Sequence, residues 1–391
     1  LVLMSTPRKI GVFTSARSEY GSFRALIKRI IDHPDLDLCL LVSGNHLVKE
    51  DGLTVQEIEA DGFPIAARIP MFDHDRSREG FSKALGRELI GVTEALASQR
   101  PDLLLINGDR AELLPLVTAA TSLGIPVAHI AGGEITEGAI DDSVRHAVTK
   151  LSHLHFPTNE LHAQRIRCMG EEPWRITVSG EPALDTIATM PLANKNELES
   201  FLDIELADPV VLVTYHPETL GEAGEDSVAK LIDAMAQVNA TYVVTYPNAD
   251  PGSAGILRQL QAFVDEHPQA VLVPSLGQVR YYSMLHMASA MLGNSSSGLW
   301  EAPSFALPTV NVGGRQDGRL RAKNVIDVLD DDAQHIQEAL RQALSAEFRD
   351  NLKGMVNPYG DGTAIDQIVA VLRKTPLGPK LLRKKFVDVE V

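Results

Sequence analysis

A short apolar run followed by an amphipathic stretch recurs from residue 10 to beyond residue 300. Apolar residues are nearly continuous within each run, which is typical of strands buried on both faces of a parallel sheet. The predicted strands are residues 10–14, 36–43, 102–107, 127–130, 209–215, 241–246, 270–274, 288–293 and 308–312. Helices are predicted over 23–31, over 112–123 and between the later strands. The pattern therefore predicts an α/β fold in which helices cover parallel sheets.

The length of the chain and one break in this pattern predict two domains. A chain of 391 residues is too long for one ordinary core, and Pro191 with its polar neighbours interrupts the rhythm near residues 190–196. We predict two Rossmann-like, doubly wound domains, over residues 1–189 and 190–370, with ligands bound in an interdomain cleft at the carboxyl ends of the strands. Residues 371–391 form a C-terminal tail, which is either a last helix packed back on the first domain or a loose end.

The composition, 44% hydrophobic and 23% charged, is that of a soluble globular protein. No apolar run approaches the roughly 20 residues of a membrane span, and residues 1–8 lack the apolar region and cleavage site of a secretory signal. The two cysteines, Cys39 and Cys168, fit a reducing compartment, so we expect a cytoplasmic protein. A formal net charge of −16 argues against nucleic-acid binding. It still permits a small anionic ligand, because a few arginines in one cleft can outweigh the overall charge locally.

Two turns of the first predicted domain place charged residues at strand ends. The small-residue turn 14–21 carries Arg17 at the entry to a helix. Backbone N–H groups and the helix dipole make such a turn suitable for an anion, although a plain strand-to-helix turn has the same pattern. Asp109 and Arg110 follow the strand 102–107, where Asp109 either faces a ligand or caps the next helix. Neither turn has the G-x-G-x-x-G or P-loop pattern, so binding of NAD or ATP is not supported.

The loop and helix over residues 129–151 contain several carboxylates close together. A Gly-Gly pair precedes Glu134, and Asp141 and Asp142 lie where the next helix begins. Asp142 and Arg145 share one face of that helix because of their spacing. Carboxyl groups in unlike environments can serve as general acid and base. The alternative is that acids in a first helical turn only complement the helix dipole.

The second predicted domain contains a candidate anion site of its own. Ser295 and Ser296 follow the strand 288–293 and open a predicted helix, so that hydroxyls, backbone amides and the helix N-terminus form a diphosphate cradle. Glu301, one turn into that helix, is placed to accept hydrogen bonds from two ribose hydroxyls. Arg315 supplies a compensating charge. His216 follows the strand 209–215 and either binds phosphate or is structural.

No metal site is predicted. The His-Leu-His sequence at 153–155 and the Asp-His-Asp sequence at 73–75 contain residue types that bind metals, but neither has a convincing set of partners. Packing is the more frequent role of such histidines at a strand end.

Together these residues resemble a known family. The sequence is similar, over roughly residues 8–375, to the hydrolysing UDP-N-acetylglucosamine 2-epimerases of sialic-acid and legionaminic-acid biosynthesis. The stretches that carry the resemblance are Arg-Ser-Glu-Tyr at 17–20, Gly-Asp-Arg at 108–110, the run from Ile-Asp-Asp to Ser-His at 140–153, Gly-Asn-Ser-Ser-Ser-Gly at 293–298 and Gly-Arg-Gln at 314–316. The run at 140–153 is the most specific of them.

The resemblance implies a two-domain fold of the glycosyltransferase-B type and the conversion of UDP-GlcNAc and water to N-acetylmannosamine and UDP. The family reaction eliminates UDP across C1–C2 to give a glycal, which is then hydrated. The acid and base groups implied are Asp109, Asp141 and Asp142, with His216 assisting the departing diphosphate. The resemblance implies neither a metal nor a nicotinamide cofactor. It implies a homodimer or homotetramer. The ligand that it implies is a small UDP-sugar, and neither nucleic acid nor a membrane is an implied partner.

The resemblance also implies which residues contact the nucleotide-sugar. UDP would be held mainly by the second domain, with Arg17 of the first domain approaching the diphosphate. The candidate contact residues are Arg17, His46, Arg110, Arg145, His216, Asn248, Ser295, Ser296, Glu301 and Arg315.

Two departures from the family pattern bear on which substrate the chain accepts and on whether it is of the hydrolysing or the non-hydrolysing branch. Relatives often have a glutamate two residues after the histidine that corresponds to His129. This chain has Ala131 at that position, so Glu134 is the nearest substitute. UDP-2,4-diacetamido-2,4,6-trideoxyglucose is therefore an alternative to UDP-GlcNAc as the substrate. Gly-Ser at 21–22 and His-Pro-Glu at 216–218 lack the basic residues of the non-hydrolysing branch, so they favour the hydrolysing one. The competing hypotheses are a non-hydrolysing 2-epimerase, a glycosyltransferase of the same fold and a catalytically silent nucleotide-sugar sensor.

Overall fold

The structure, a computed structural model, describes residues 6–75, 77–136, 140–217, 225–247, 253–330 and 332–388. The strands are β1 (Arg8–Thr14), β2 (Leu36–Ser43), β3 (Ile65–Ile69), β4 (Leu103–Asn107), β5 (Val127–Ile130), β6 (Leu154–Phe156), β7 (Val210–Thr214), β8 (Thr241–Thr245), β9 (Ala270–Val273), β10 (Ala290–Gly293), β11 (Thr309–Val312) and β12 (Val325–Val328). Short 3₁₀ helices span Gly44–Leu47, Pro173–Arg175 and Ala302–Phe305.

The α-helices alternate with these strands along the chain. They are α1 (Arg17–Ile31), α2 (Val55–Ala60), α3 (Arg78–Gln99), α4 (Leu113–Leu123), α5 (Ile140–Leu151), α6 (Glu160–Cys168), α7 (Pro182–Thr189), α8 (Lys195–Leu202), α9 (Glu225–Ala236), α10 (Ser253–Glu266), α11 (Gly277–Met287), α12 (Ser297–Trp300), α13 (Ala333–Leu344), α14 (Ala346–Asn351), α15 (Ala364–Lys374) and α16 (Pro379–Leu382). Among the residues that the structure describes, no helix combines the length and the apolar character that a membrane crossing requires.

Within the described residues the strands form two parallel sheets, of order β3-β2-β1-β4-β5-β6 and β12-β11-β10-β7-β8-β9. Every predicted strand is present, and the prediction of doubly wound parallel sheets is confirmed. Three strands were not predicted, and all three lie at sheet edges: β3, β6 and β12. They lack the apolar continuity of central strands, because β3 contains Arg68, β6 contains His155 and β12 contains Asp327. The interdomain cleft stays a prediction.

The strand order of each sheet reverses between two neighbouring strands, and ligands of doubly wound sheets bind at that point. In the first sheet the reversal lies between β1 and β4, so the loops after Thr14 and Asn107 lie side by side. In the second sheet it lies between β7 and β10, which brings the loops after Thr214 and Gly293 together. These loops and the residues just after them carry half of the predicted site residues, namely Arg17, Asp109, Arg110, His216, Ser295, Ser296 and Glu301.

The first sheet belongs to a compact unit that comprises Leu1–Thr186 and Tyr359–Val391. The chain returns to this unit because α15 packs apolar residues such as Ile368 and Leu372 into the core around β1 and β2. The buried carboxylate of Asp185 also accepts hydrogen bonds from the N–H groups of Ala364 (3.0 Å) and Ile365 (2.9 Å) at the start of α15. The sequence-based division differs in placing residues 359–370 with the second domain.

The residues after α15 continue along the first unit. The buried guanidinium of Arg175 donates to the carbonyl of Leu381 (2.8 Å) and to those of Lys380 and Arg383 (both 3.2 Å). The Lys384 ammonium reaches the Glu171 carboxylate at 2.8 Å. Charged side chains of the unit therefore hold the backbone of this C-terminal segment.

The second sheet belongs to a compact unit that comprises Ile187–Pro358. Gly293 ends β10 with φ +134°, and a Cβ added there would lie 2.0 Å from the Thr214 carbonyl oxygen. Only glycine permits this approach, which joins the ends of β7 and β10. The loops after the two strands therefore begin in direct contact.

We predict that Arg175→Met destabilises the first unit by roughly 3–5 kcal/mol, because the substitution leaves the Glu172 carboxylate and several carbonyls without their cation. Arg167→Met is the matched control. Its ion pair with Glu160 is exposed and contributes at most about 1 kcal/mol. Urea unfolding followed by Trp174 fluorescence in a Trp300→Phe background measures this unit alone. Equal midpoints for the two variants would contradict the prediction.

Candidate functional site

The buried guanidinium of Arg145 organises the site of the first unit. Only 2% of this side chain is exposed. It forms an ion pair with Asp109 after β4 and donates to the Thr136 hydroxyl (2.9 Å) and the Glu134 carbonyl (3.1 Å) in the loop after β5. A further partner is Asp142 of α5, at 3.4 Å. Arg145 therefore joins three segments at the carboxyl edge of the sheet. Predicted as a substrate contact, it directs its guanidinium to groups of its own chain.

Asp142 is mainly a structural partner in this arrangement. Its carboxylate accepts a hydrogen bond from the Thr136 N–H at 2.8 Å, which fixes the loop before α5. It also lies 3.5 Å from the His146 ring. The predicted role of Asp142 as an acid or base is therefore less well supported than that of its neighbour.

Asp141 has the properties expected of an acid group. It lies in the first turn of α5 and is partly exposed. Burial raises the pKa of its carboxyl group, and the nearby charge of Asp109 raises the pKa further, against the opposing effect of Arg110 and Arg145. Asp109 itself has 30% of its side chain exposed. Asp109 and Asp141 are thus close enough to interact electrostatically, and Asp109 is the one paired directly with Arg145. Their roles as acid and base stay a prediction.

Glu134 lies deeper than the two aspartates. Its side chain is buried and accepts a hydrogen bond from the Thr158 hydroxyl at 3.2 Å, and the His162 ring lies 3.7 Å away. Burial lowers the pKa of His162 to about 4, so this imidazole is neutral at neutral pH. Gly133, with φ +78°, allows the approach of the His162 carbonyl, which would lie 2.4 Å from an added Cβ. The side chain of Glu134 is thus turned inward and lies against the start of α6.

His129 is a site residue to which the sequence analysis assigned no role. The buried ring donates through Nε2 to the Gly108 carbonyl (2.8 Å) and accepts at Nδ1 from the Thr149 hydroxyl (3.1 Å). Burial lowers its pKa to about 3, which keeps it neutral. Because Gly108 directly precedes Asp109, His129 fixes the backbone that presents Asp109. A polar residue at the centre of the apolar strand β5 was the available signal.

The N–H groups of the turn after β1 bind a carboxyl group, and this group belongs to the chain itself. The Glu19 carboxylate accepts hydrogen bonds from the N–H groups of Ser15 (2.8 Å) and Ala16 (3.1 Å) and from the Ser15 hydroxyl (2.9 Å). This contact also starts α1 at Arg17 rather than at residue 23. The prediction that these N–H groups face a ligand is therefore wrong for Ser15 and Ala16. The Arg17 side chain is 64% exposed and pairs with Glu57 at 3.1 Å.

His46 is a buried residue in this structure. Its Nε2 lies 3.0 Å from the Thr14 hydroxyl, and its Nδ1 lies 2.8 Å from the Thr54 hydroxyl. Burial lowers its pKa to about 4. Since both ring nitrogens are engaged and the side chain is inaccessible, the prediction that His46 contacts the nucleotide-sugar is not supported by the geometry. The reason is the 3₁₀ helix after β2, which turns His46 into the core.

Arg110 is partly exposed and is paired with a buried acid. Its side chain is 34% exposed and forms an ion pair of 2.7 Å with Glu112, of which only 1% is exposed. The loop after β4 thus carries a partly exposed guanidinium whose position is fixed by a buried carboxylate.

In the second unit, Asn294 fixes His216. Its side-chain oxygen accepts from the His216 N–H (2.7 Å), and its side-chain amide donates to the His216 carbonyl (2.9 Å). The Asn294 carbonyl in turn accepts from Arg315 (3.1 Å) and Gln316 (2.8 Å). Burial, aided by the charge of Arg315, lowers the pKa of His216 to about 4, so its imidazole is neutral at neutral pH. The structure therefore brings His216 and Arg315 close together, and their contacts with UDP stay a prediction.

The serine loop and Glu301 lie beside this group. Ser295 and Ser296 are partly exposed, and the helix that they open, α12, has only 4 residues. Pro303 stops it, since proline cannot continue a helix, so Glu301 follows the helix instead of lying inside it. A helix this short has only a small dipole to attract an anion, so the hydroxyl and N–H groups are the main hydrogen-bond donors to it. Tyr282 donates to one Glu301 oxygen at 3.0 Å, and burial raises the pKa of Glu301.

One predicted contact residue, Asn248, lies outside the described residues. In the part of the chain that the structure describes, no group of three or more histidine, cysteine, aspartate or glutamate side chains is arranged to hold a metal ion.

Comparison with known proteins shows what this chain is similar to. The profile of a family described as UDP-N-acetylglucosamine 2-epimerase matches residues 28–373. The chain is 35% identical to the GDP/UDP-N,N'-diacetylbacillosamine 2-epimerase (hydrolyzing) of Campylobacter jejuni, over 98% of this chain and 99% of that one. It is 37% identical to the UDP-N,N'-diacetylbacillosamine 2-epimerase (hydrolyzing) of Legionella pneumophila, over 96% of this chain and 98% of that one.

A solved structure shows the same fold. The UDP-GlcNAc 2-epimerase of Neisseria meningitidis bound to UDP-GlcNAc matches with a TM-score of 0.80 at 19% identity, covering 94% of this chain and 100% of that one. This likeness confirms the predicted two-domain α/β fold of the glycosyltransferase-B type.

We predict that Asp109→Asn lowers the pKa of Asp141, because a nearby negative charge is removed and the Arg145 charge is no longer offset by it. Carboxyl-carbon NMR titration measures this pKa, with Asp141→Asn used to assign the signal. Glu79→Gln, at an exposed residue paired with Lys83, is the control and leaves the titration unchanged. An unchanged or raised pKa in Asp109→Asn would contradict the coupling of the two carboxyl groups.

Proposed function

Because the chain belongs to the UDP-N-acetylglucosamine 2-epimerase family, we propose that it is a hydrolysing 2-epimerase of UDP-N,N'-diacetylbacillosamine. This sugar is the UDP-2,4-diacetamido-2,4,6-trideoxyglucose that the sequence indicates as the alternative substrate. The observation that carries the proposal is the identity of 35% and 37%, over nearly whole chains, to two relatives with this activity in their names. The same likeness favours this substrate over UDP-GlcNAc, which the family resemblance alone implies.

The proposed reaction has two steps. A base removes the proton from C2 while the bond between C1 and the UDP oxygen breaks, which leaves a C1=C2 double bond. Water then adds its hydroxyl to C1 and loses its other proton to a carboxylate, and an acid returns a proton to C2 on the opposite face. The proton that the base took from C2 leaves to solvent. The products are UDP and the free sugar with inverted C2.

We assign the proton transfers to Asp109 and Asp141. The raised pKa of Asp141 favours the protonated form, which suits the group that protonates C2. Asp109, paired with the buried Arg145, suits the base. General acids and bases of this kind contribute roughly 10²–10⁴-fold to the rate. Glu134 and Asp142 shape the loop in this proposal and take no proton from the sugar.

We assign UDP binding to the second unit. Ser295 and Ser296 supply hydroxyl and N–H donors to the diphosphate, and Arg315 supplies a charge. His216 stays neutral at neutral pH because its pKa is about 4, so it donates a hydrogen bond to the departing diphosphate rather than a proton. Glu301 accepts from the ribose hydroxyls with the oxygen opposite the one that Tyr282 contacts.

The test is proton NMR of the purified protein in D₂O with UDP-N,N'-diacetylbacillosamine, in parallel with UDP-GlcNAc and GDP-N,N'-diacetylbacillosamine. We expect release of UDP and a free sugar that carries deuterium at C2. Faster turnover of UDP-GlcNAc would make that sugar the substrate, and turnover of the GDP-sugar alone would change the nucleotide. An epimerised sugar that stays attached to UDP would indicate a non-hydrolysing enzyme. Turnover of none of the three would overturn the proposal.

We predict that Asp141→Asn lowers kcat by roughly 10²–10⁴-fold, because the amide cannot transfer the proton, and that KM changes much less. Glu160→Gln, at an exposed carboxylate on α6, keeps wild-type kinetics. A kcat within a factor of about three of wild type for Asp141→Asn would remove Asp141 from the mechanism.

We also predict that Tyr282→Phe weakens UDP binding by roughly threefold to tenfold, since Glu301 loses the hydroxyl that orients it. Tyr242→Phe is the matched control, because this buried phenol donates to the backbone carbonyls of Met235 and Val238 (both 2.9 Å) elsewhere in the same unit. Isothermal titration calorimetry with UDP gives both affinities. Equal losses in the two variants would show that the effect of Tyr282 is only structural.

A further inference from the structure

Behind the proposed acid–base pair lies an acidic cluster, which we define as Glu19, Glu88 and Glu112. The three side chains are buried, with 8%, 0% and 1% of each residue exposed. They come from α1, from α3 and from the residue that precedes α4. Arg110 interacts electrostatically with all three. Nothing in the proposed reaction so far uses this cluster.

Two members of the cluster are occupied elsewhere. Glu19 binds the N–H groups of the turn after β1, and Glu88 accepts from the Ser43 hydroxyl at 2.6 Å. Burial raises the pKa of Glu19 to about 7 and that of Glu88 to about 8, so near neutral pH both carry much less than a full charge.

Glu112 is different, because its carboxylate is paired with a cation rather than with backbone or hydroxyl groups. It directly precedes α4, and its side chain forms no hydrogen bond with the first N–H groups of that helix. Instead its carboxylate contacts the Arg110 guanidinium at 2.7 Å. Burying a carboxylate is unfavourable unless it is paired. The placement of Glu112 therefore serves Arg110 rather than the helix.

Arg110 in turn connects the cluster to the proposed site. It follows Asp109 in the chain, and Asp109 is paired with Arg145 of α5, the helix whose first turn carries Asp141. We propose that Glu112 is a positioning residue, which holds the Arg110 guanidinium toward Asp141 and so controls the proton transfer that Asp141 performs. The proposal rests on the proposed function.

The charges that face Asp141 give the sign of the expected effect. They are Asp109, Arg110, Arg145 and Glu112, and Arg110 is itself faced by Glu19, Glu88 and Glu112. The acids raise the pKa of Asp141 and the arginines lower it. Glu112→Gln removes one acid and leaves the Arg110 charge without its partner, so both changes lower the pKa of Asp141. Since Asp141 acts in its protonated form, the loss of activity with rising pH then begins at a lower pH than in the wild-type protein.

The experiment is the pH dependence of kcat and KM with UDP-N,N'-diacetylbacillosamine. In Glu112→Gln the basic limb of kcat moves down by roughly 0.5–1 pH unit, and kcat at its optimum falls roughly tenfold to a hundredfold because Arg110 loses its fixed position. Glu112→Asp keeps the charge but shortens the side chain, so kcat falls while the limb stays in place. Glu88→Gln is the matched control, since a neutral amide replaces a carboxyl group that is mostly protonated at about pH 7 and below.

A double-variant comparison shows whether Glu112 acts through Arg110. If it does, adding Glu112→Gln to an Arg110→Gln protein changes kcat less than about twofold, because coupled residues are not additive. Circular dichroism melting confirms that each variant is folded. If Glu112→Gln does not fold, Glu112→Asp decides, and wild-type kinetics in Glu112→Asp would overturn the proposal.

The remaining outcomes separate the two levels of inference. An active wild-type protein whose Glu112→Gln variant has the wild-type profile would overturn the positioning role and leave the proposed function intact. A full effect of Glu112→Gln in the Arg110→Gln background would also overturn it. A wild-type protein that turns over no nucleotide-sugar would overturn both.

Discussion

The ion pairs and hydrogen bonds of one buried guanidinium, that of Arg145, hold the site of the first unit together. It binds Asp109 after β4, Thr136 after β5 and Asp142 of α5. Breaking such a buried pair on one side ordinarily costs about 3–5 kcal/mol, so these segments keep one arrangement. The proposed base and the helix that carries the proposed acid therefore have a fixed relation to each other. Asp141, which is partly exposed, is the carboxyl group beside this assembly whose pKa is raised.

The sequence predicts the central strands well because burial on both faces demands continuous apolar residues. It misses β3, β6 and β12 because an edge strand or a strand of 3 residues tolerates a polar side chain. The position of the site is also predictable, since the carboxyl ends of parallel strands share one edge. A C-terminal tail packed back on the first domain was one of the two alternatives that the sequence left open. The point at which the chain returns was not predictable, because it depends on contacts of Asp185 and Arg175 with residues far along the chain.

Which charged residues face inward cannot be read from the sequence. Arg17, His46 and Arg145 are all polar residues near strand ends, yet Arg17 is exposed, His46 is enclosed between two threonine hydroxyls and Arg145 is paired with acids. Glu19 takes the place that was predicted for a ligand, since a carboxylate one helical turn away reaches the same N–H groups at no cost in association entropy. The spacing of a motif identifies the loop, whereas the groups that each charged side chain contacts depend on the tertiary structure.

The electrostatics of the two units suit different parts of the proposed reaction. In the first unit, burial and the charge of Asp109 raise the pKa of Asp141, which favours the protonated form that an acid group needs. In the second unit, burial favours the neutral forms of His216 and Glu301. A neutral His216 binds a diphosphate less strongly than a cation would, because charge-assisted hydrogen bonds are roughly twice as strong, so Arg315 supplies the cationic contact in the proposal. In the proposed reaction UDP leaves in every cycle, so weaker binding of this product by His216 favours turnover, since tight binding of a product slows its release.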